Sequence, residues 1–218
     1  RNVGLRPDQV QILVNNRKLM EAELNRIGIS AELRPAILRL IDRIDKQPAE
    51  VWDENVLRLG LLPNQLSSLK ALLANKDLWQ RSEELQALFQ QLEALGVAEF
   101  VAYDPKIIRG LDYYTSTVFE AHDTTGEFRA ILGGGHYANL VEDVGGKPLP
   151  GVGFAMGDVV IMLLLESLGL IPAQKAADNG VLMTIFDAAN QEIATQTAAH
   201  LREAGLQVIL YPEADKLA

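Results

Sequence analysis

The sequence predicts an α+β fold, on three observations. Apolar residues alternate at period two over residues 9–15, and short runs rich in Val, Tyr, Phe and Thr recur after residue 97 between glycine clusters, as half-buried strands require. Between these stretches, residues 17–96 carry apolar residues at three- and four-residue spacing, the period of amphipathic helices. Beyond residue 180 a strand, helix and strand follow in the order of a separate α/β unit.

Each element has its own signal. Val10, Ile12 and Val14 alternate with polar residues in QVQILVN. Leu19, Leu24 and Ile27 then lead to Gly28, and Ser30 is the expected cap of a segment carrying Ile37, Leu38, Leu40, Ile41 and Ile44. Pro48 and Pro63 punctuate the helices, Pro63 where a first turn tolerates it. Leu66, Leu69, Leu72 and Leu73 follow, then Leu85, Leu88, Phe89, Leu92 and Leu95 before Gly96. EFVAYDP (99–105), YYTSTVFEAHD (113–123), a turn at 124–126 and EFRAILGGG (127–135) predict a meander of antiparallel strands. Gly145, Gly146 and residues 148–151 mark a loop. GVGFAMG (151–157) leads into residues 158–168, whose length and Leu/Met content predict a buried helix ended by Gly169. Residues 172–179 are the expected linker. Residues 180–186 predict a strand, Asp187 caps a helix to residue 204, Gly205 ends it, and residues 206–211 form a second strand.

The chain has 218 residues, 48% hydrophobic and 22% charged, which disfavours disorder, collagen and a coiled-coil rod. Twenty Lys/Arg against 29 Asp/Glu give a net charge of -9, which excludes a generally basic nucleic-acid coat. The balance is uneven. Residues 1–50 hold nine Lys/Arg and seven Asp/Glu, a balance of +2, while the remainder holds eleven and 22, a balance of -11. A polyanion is therefore expected to meet the N-terminal quarter. With no cysteine, disulfides and thiol chemistry are impossible, as suits a reducing compartment. The longest apolar run, VVIMLLL at 159–165, is far shorter than the roughly 18–20 residues of a membrane span, and no signal segment opens the sequence, so a cytoplasmic location is expected. Arg1 in place of Met, and an apolar run close to residue 218, suggest a piece of a longer protein.

Three clusters could carry chemistry. In the first, Arg109, Gly110, Leu111, Asp112, Tyr113 and Tyr114 run into TSTVFE. On a strand Arg109 and Tyr113 would share one face and Tyr114 the other. A guanidinium beside a phenol suits an anionic small ligand, although a surface ion pair of Arg109 with Asp112 or Asp104 explains the same spacing. The second cluster is Gly133, Gly134, Gly135, His136 and Tyr137. Its glycines admit close backbone approach or simply make a bulge. His136 has no metal-ligand partner at suitable spacing, so no metal site is expected. The third, with Gly151, Gly153 and Gly157 before a helix, is not a GxGxxG fingerprint. It offers either a flat surface for a ligand or tight strand-to-helix packing.

Together these stretches resemble histidyl-tRNA synthetases, class II ligases that activate L-histidine with ATP and load it onto tRNA(His). RGLDYYTSTVFE (109–120) is similar to the family's histidine-recognition signature, GGGHYANLV (133–141) to its second glycine-rich motif and GVGFAMG to the start of motif 3. The resemblance implies part of a class II antiparallel-sheet catalytic core (residues 1–19, following motif 2, and 97–172, with the histidine motifs and motif 3). It further implies an all-helical insertion (20–96), a linker (173–179) and the start of a C-terminal α/β anticodon-binding domain (180–218). It assigns Arg109 to charge stabilisation during adenylation, at both the histidine carboxylate and ATP. Tyr113, Tyr114 and Tyr137 would line the histidine pocket, Gly133, Gly134, Gly135, Gly151 and Gly153 its floor, and Gly157 would contact ATP. Mg2+ and a homodimer formed through regions outside this sequence are implied as well, and the slightly basic start of the insertion would suit the acceptor arm of tRNA.

The sequence also departs from the family pattern. His136, Tyr137 and Ala138 stand where Arg, Tyr and Asp are usual, and Val160 stands at the position of motif 3's ATP-gripping Arg. Motifs 1 and 2 are absent, so this stretch alone is expected to be inactive. Val160 also suits a non-catalytic paralogue, the synthetase-like regulatory subunit of ATP phosphoribosyltransferase. The intact RGLDYY and the strand–helix–strand order after residue 180 favour the ligase. A plain histidine-holding α+β domain is the third reading.

Overall fold

The computed structural model describes residues 2–108, 113–171 and 180–214, in two compact units, Arg1–Ile171 and Pro172–Ala218. In chain order the first unit holds β1 (Val10–Asn16), α1 (Arg17–Arg26), α2 (Arg34–Ile41), α3 (Ala49–Arg58), α4 (Pro63–Ala74), α5 (Glu83–Ala94), β2 (Val101–Tyr103), β3 (Thr117–Asp123), β4 (Leu132–Tyr137), α6 (Leu140–Asp143), β5 (Gly151–Met156) and α7 (Asp158–Ser167). Its sheet has the order β2-β1-β3-β4-β5.

β1 is a strand because Val10 and Val14 bury on one face while the chain pairs on both edges. It runs antiparallel to β3, with Val14 opposite Phe119 and Ile12 opposite Ala121. Of the meander expected over 99–135, β3 and β4 pair antiparallel as predicted, and β5 joins them antiparallel at the edge. β2 departs from it: it pairs with β1, in parallel, Val14 opposite Tyr103. The long helical excursion between the two strands is the crossover that a parallel pair needs.

At the end of β1 the side chain of Asn16 accepts a hydrogen bond from the Leu19 N–H at 3.1 Å and caps α1. Leu24, Ile37, Ile41, Trp52, Val56, Leu69, Leu78 and Leu85 are at most 1% exposed. They share one cluster with Val14 and Tyr103, so α1–α5 and the first two strands are stabilised by a common core. Gly28 closes α1 at φ 79°. Ser30 does not cap the next helix. α2 starts at Arg34 with Pro35 in its first turn and no side-chain cap, because proline's fixed φ and missing N–H already suit that position. The Ser30 carbonyl accepts from Leu33 and Arg34 instead.

α7 corrects a further expectation. It buries only Leu164 and Leu165, while Val159, Met162 and Leu163 remain 64%, 49% and 47% exposed. Its apolar character is continuous around the helix, and β5 is the edge of the sheet, with no further strand paired to it among the described residues. Among the described residues no helix is long and apolar enough to cross a membrane.

The second unit consists of β6 (Gly180–Ile185), α8 (Gln191–Glu203) and β7 (Gln207–Ala214). The strands pair in parallel and α8 makes the crossover. Asp187 accepts from the Asn190 N–H at 3.0 Å in the turn before α8, and Gly205 ends the helix at φ 87°. The linker expected at 172–179 lies outside the described residues.

Candidate functional site

The site is built on one face of the first sheet, and the register decides which residues belong to it. Residues paired across strands share a face. One face therefore carries Ile12, Val14, Phe119, Leu132, Gly134 and Phe154, and the other carries Leu13, Val118, Glu120, Gly133, Gly135, Tyr137, Gly151 and Gly153. The second face is glycine-paved for a steric reason. A Cβ on Gly151 would stand 2.5 Å from the Tyr137 ring, one on Gly153 3.3 Å from it, and one on Gly135 2.7 Å from the Tyr114 ring. These glycines are where aromatic rings lie flat against backbone. Gly134 points the other way, towards Phe119 and Phe154, and a Cβ there would strike the Gly153 carbonyl.

The three tyrosines assemble above this floor. Tyr113 and Tyr114 have ring centroids 4.6 Å apart, and Tyr113 meets Tyr137 edge-on at 6.0 Å. The Tyr113 hydroxyl donates to the Tyr114 hydroxyl at 3.5 Å. Tyr114 is 5% exposed and Tyr113 36%, so one ring is structural wall and the other faces solvent. The expected strand alternation fails here: β3 starts only at Thr117, and Tyr113 and Tyr114 turn together rather than to opposite faces.

Several residues besides the tyrosines fasten this segment. Arg17 Nη1 donates to the Tyr114 carbonyl at 2.8 Å, and the Arg17 N–H donates to the Ser116 carbonyl at 2.9 Å. Thr115 donates its N–H to the His136 carbonyl at 2.9 Å, and its hydroxyl accepts from the Ala138 N–H at 3.0 Å. Asn15 and Asn16 are at most 1% exposed. Asn15 Nδ2 donates to the Pro105 carbonyl at 3.0 Å and Asn16 Nδ2 to Glu84 at 2.6 Å. Burial pushes the Glu84 carboxyl up, but the hydrogen bonds from Lys18 and Asn16 and the nearby charges of Lys18 and His136 outweigh it and hold the group below the ordinary carboxylate range. The signal for this network is legible in retrospect: Asn15, Asn16 and Arg17 place consecutive polar side chains on both faces of a buried strand end, which is tolerated only where each is bonded.

Other candidates sit elsewhere. Arg109, Gly110, Leu111 and Asp112 lie outside the described residues. Val160 packs with Leu164, Leu165 and Ile131 in the core beneath the sheet, and Gly157 caps the start of α7. His136 shares the aliphatic face, where its Nδ1 lies 3.3 Å from the Thr115 hydroxyl. A cavity of about 640 Å³ opens on that same face against α5, lined by Ile12, Val14, Leu88, Phe119, His136 and Val152 among others. It is apolar and lies on the opposite side of the sheet from the tyrosines. Among the described residues no group of His, Asp or Glu gathers to hold a metal ion, so Mg2+ finds no fitting ligand set in them. This face offers aromatic edges and phenol hydroxyls above a flat glycine floor, an arrangement suited to positioning more than to nucleophilic attack.

This mixed α+β architecture is that of class II synthetase cores. A histidyl-tRNA synthetase structure from Nostoc sp. PCC 7120 superposes with a TM-score of 0.69 at 24% identity, covering 99% of this chain and 55% of that one. A Bacillus halodurans C structure described as an ATP phosphoribosyltransferase regulatory subunit/histidyl-tRNA synthetase superposes at 0.60 with 19% identity, covering 95% and 55%. At these identities the likeness concerns the fold. In sequence, residues 2–158 match the histidyl-tRNA synthetase family. The histidine–tRNA ligase of Opitutus terrae is 35% identical over 94% of this chain and 50% of its own length. The chain belongs to the histidyl-tRNA synthetase family, and it spans about half the length of the curated relatives it matches.

Proposed function

We propose that the chain is the part of a histidine–tRNA ligase that holds the amino acid, within a protein that activates L-histidine with ATP and transfers it to tRNA(His). The observation that carries this reading is the packing of Tyr113, Tyr114 and Tyr137 over a face paved by Gly133, Gly135, Gly151 and Gly153. The imidazole of histidine is a planar ring with a polar edge. Phenol hydroxyls can bond that edge while the rings exclude water. Arg109, which opens the same motif in sequence, supports charge at the histidine carboxylate and the α-phosphate of ATP. Adenylate formation is an in-line attack of carboxylate on phosphorus, for which positioning and cation support matter more than a protein base. The remaining assignments are residues 1–19 and 97–172 as catalytic core, 20–96 as insertion and 180–218 as the start of an anticodon-binding domain. ATP is a substrate, with Gly157 beside it. The reading extends to a homodimer at work in the cytoplasm, to which the relatives' other half contributes.

Val160 favours a second reading, the regulatory subunit of ATP phosphoribosyltransferase. With its side chain in the core, the position offers ATP no cation. Histidine-dependent ATP–pyrophosphate exchange by the protein at its native length separates the two. Exchange with histidine alone among the amino acids supports the ligase, and Arg109→Ala is then expected to lower it about 100-fold or more with little change in Tm. Histidine binding without exchange supports the regulatory subunit, and an unchanged rate in Arg109→Ala removes the role given to Arg109.

A further inference from the structure

Residues 104–108 lead from the end of β2 towards the tyrosine motif, and Ile108 immediately precedes Arg109 in sequence. The sheet holds this segment from one side: the Asp104 N–H donates to the Val14 carbonyl at 3.0 Å, and Asn15 Nδ2 donates to the Pro105 carbonyl at 3.0 Å. The helical excursion between β1 and β2 holds it from another. Lys76, just after α4, pairs with the Asp104 carboxylate at 2.8 Å, and Asp45, in the short turn Ile44–Lys46 after α2, pairs with Lys106 at 2.8 Å. These partners are 28 and 61 residues apart in sequence. Asp104 also accepts from the Lys106 N–H at 2.9 Å, so both pairs converge on one turn. Beside them Ile108, 2% exposed, joins the core that contains Ile41, and Ile44 packs against it.

Fastening a group of helices to a sheet requires no particular segment, yet these contacts fall on the residues that lead directly into Arg109. A misplacement of about 1 Å at a reacting group costs on the order of 100-fold in rate. We propose that Asp45 and Lys76 are positioning residues for Arg109, fixing residues 104–108 so that its guanidinium meets the charge that develops between histidine and ATP. The reaction served rests on the ligase reading, whereas the hold on Arg109 does not.

The test is a double-mutant cycle on histidine-dependent ATP–pyrophosphate exchange by the protein at its native length. Exposed ion pairs are individually weak, worth about fivefold at most, so Asp45→Ala with Lys76→Ala is expected to lower kcat/KM about tenfold at unchanged Tm. In an Arg109→Ala background the same two changes should cost less than about twofold, because residues that act through one another are not additive. A packing role multiplies equally in both backgrounds, and that result overturns the proposal, as does no loss in the first. Lys70→Ala breaks the pair with Asp53 between α3 and α4 and should leave exchange within about twofold. A tenfold loss there also overturns the proposal. Lys106→Asp should restore most of the activity lost in Asp45→Lys, and failure of that swap removes the role given to Asp45. If the unaltered protein binds histidine without exchange, the ligase reading fails and the same cycle is scored on histidine Kd, since Arg109 also serves the carboxylate. Non-additive losses there retain the positioning role, and additive ones overturn it.

Discussion

The two faces of the first sheet are made from the same strands, yet they follow opposite rules. On one face, side chains from β1 and β3 fill space: Val10 and Ala121 bury against α7, and Val14 against the helices. On the other, side chains are withheld at Gly133, Gly135, Gly151 and Gly153, and tyrosines from loop and strand supply the surface instead. A face filled from its own strands is a core. A face kept bare and roofed by aromatics is shaped for something else, because glycine in a strand costs stability that no packing returns.

The sharpest way to break this contrast is to add one methyl group to each face. Gly134→Ala directs its Cβ at the Gly153 carbonyl, which is backbone and cannot move away. It should destabilise the first unit by about 2–3 kcal/mol, seen as an early melt. Gly151→Ala meets the Tyr137 ring at its Cβ position, and a ring can swing. Tm should hold while histidine-dependent exchange at native length falls about 100-fold, because the wall has moved. If Gly151→Ala melts early and keeps its activity, both faces are simply core.

A smaller effect probes what holds the roof in place. Arg17 reaches from the start of α1 to the Tyr114 carbonyl, so Arg17→Ala should release the tyrosine segment without touching histidine. About a tenfold loss in kcat/KM, carried mainly by KM for histidine, is expected. Arg17→Lys should recover part of it. Equal effects on every substrate's KM would instead mark Arg17 as general scaffolding.

Much of this arrangement was legible in the sequence, where local physics decides. Alternation at Val10, Ile12 and Val14 gave β1, and the leucine stripe at 66, 69, 72 and 73 gave α4's buried side. Gly28, Gly126, Gly169 and Gly205 all take the positive φ expected of chain reversals. The misses are non-local. Nothing in VAY says that β2 returns beside β1 rather than β3. The exposed side of α7 depends on what lies beyond β5, which no periodicity reports. Strand alternation puts Tyr113 and Tyr114 on opposite faces, but the strand begins three residues later, and the segment is fastened by Arg17 and, through Thr115, by His136 and Ala138, all distant in sequence. The candidate residues were picked out through the family motifs, whereas the division of the glycines between two faces needed the register.

The smallest effect tests the turn that sets this register. Asp123 ends β3, 5% exposed, and its carboxylate accepts from the Thr125 hydroxyl and from the N–H groups of Glu127 and Phe128, at 3.0 and 3.1 Å for the latter two. Burial raises its pKa, but these hydrogen bonds outweigh it and hold the group below the ordinary carboxylate value. A carboxyl depressed in the folded state stabilises above its unfolded pKa, and that contribution is lost as pH falls through the folded value. Melting should therefore be flat near neutral pH and fall below about pH 4. Asp123→Asn should cost about 1 kcal/mol at neutral pH, since charged acceptors exceed neutral ones by about that much, and should flatten the acid limb. Because β4 takes its alignment from this turn, the variant should also weaken histidine binding slightly, through Gly133 and Gly135 and not through the aliphatic face. An unaltered acid limb would show that the turn holds without its charge, and that the register is set by the packing of Ile131 and Leu132 alone.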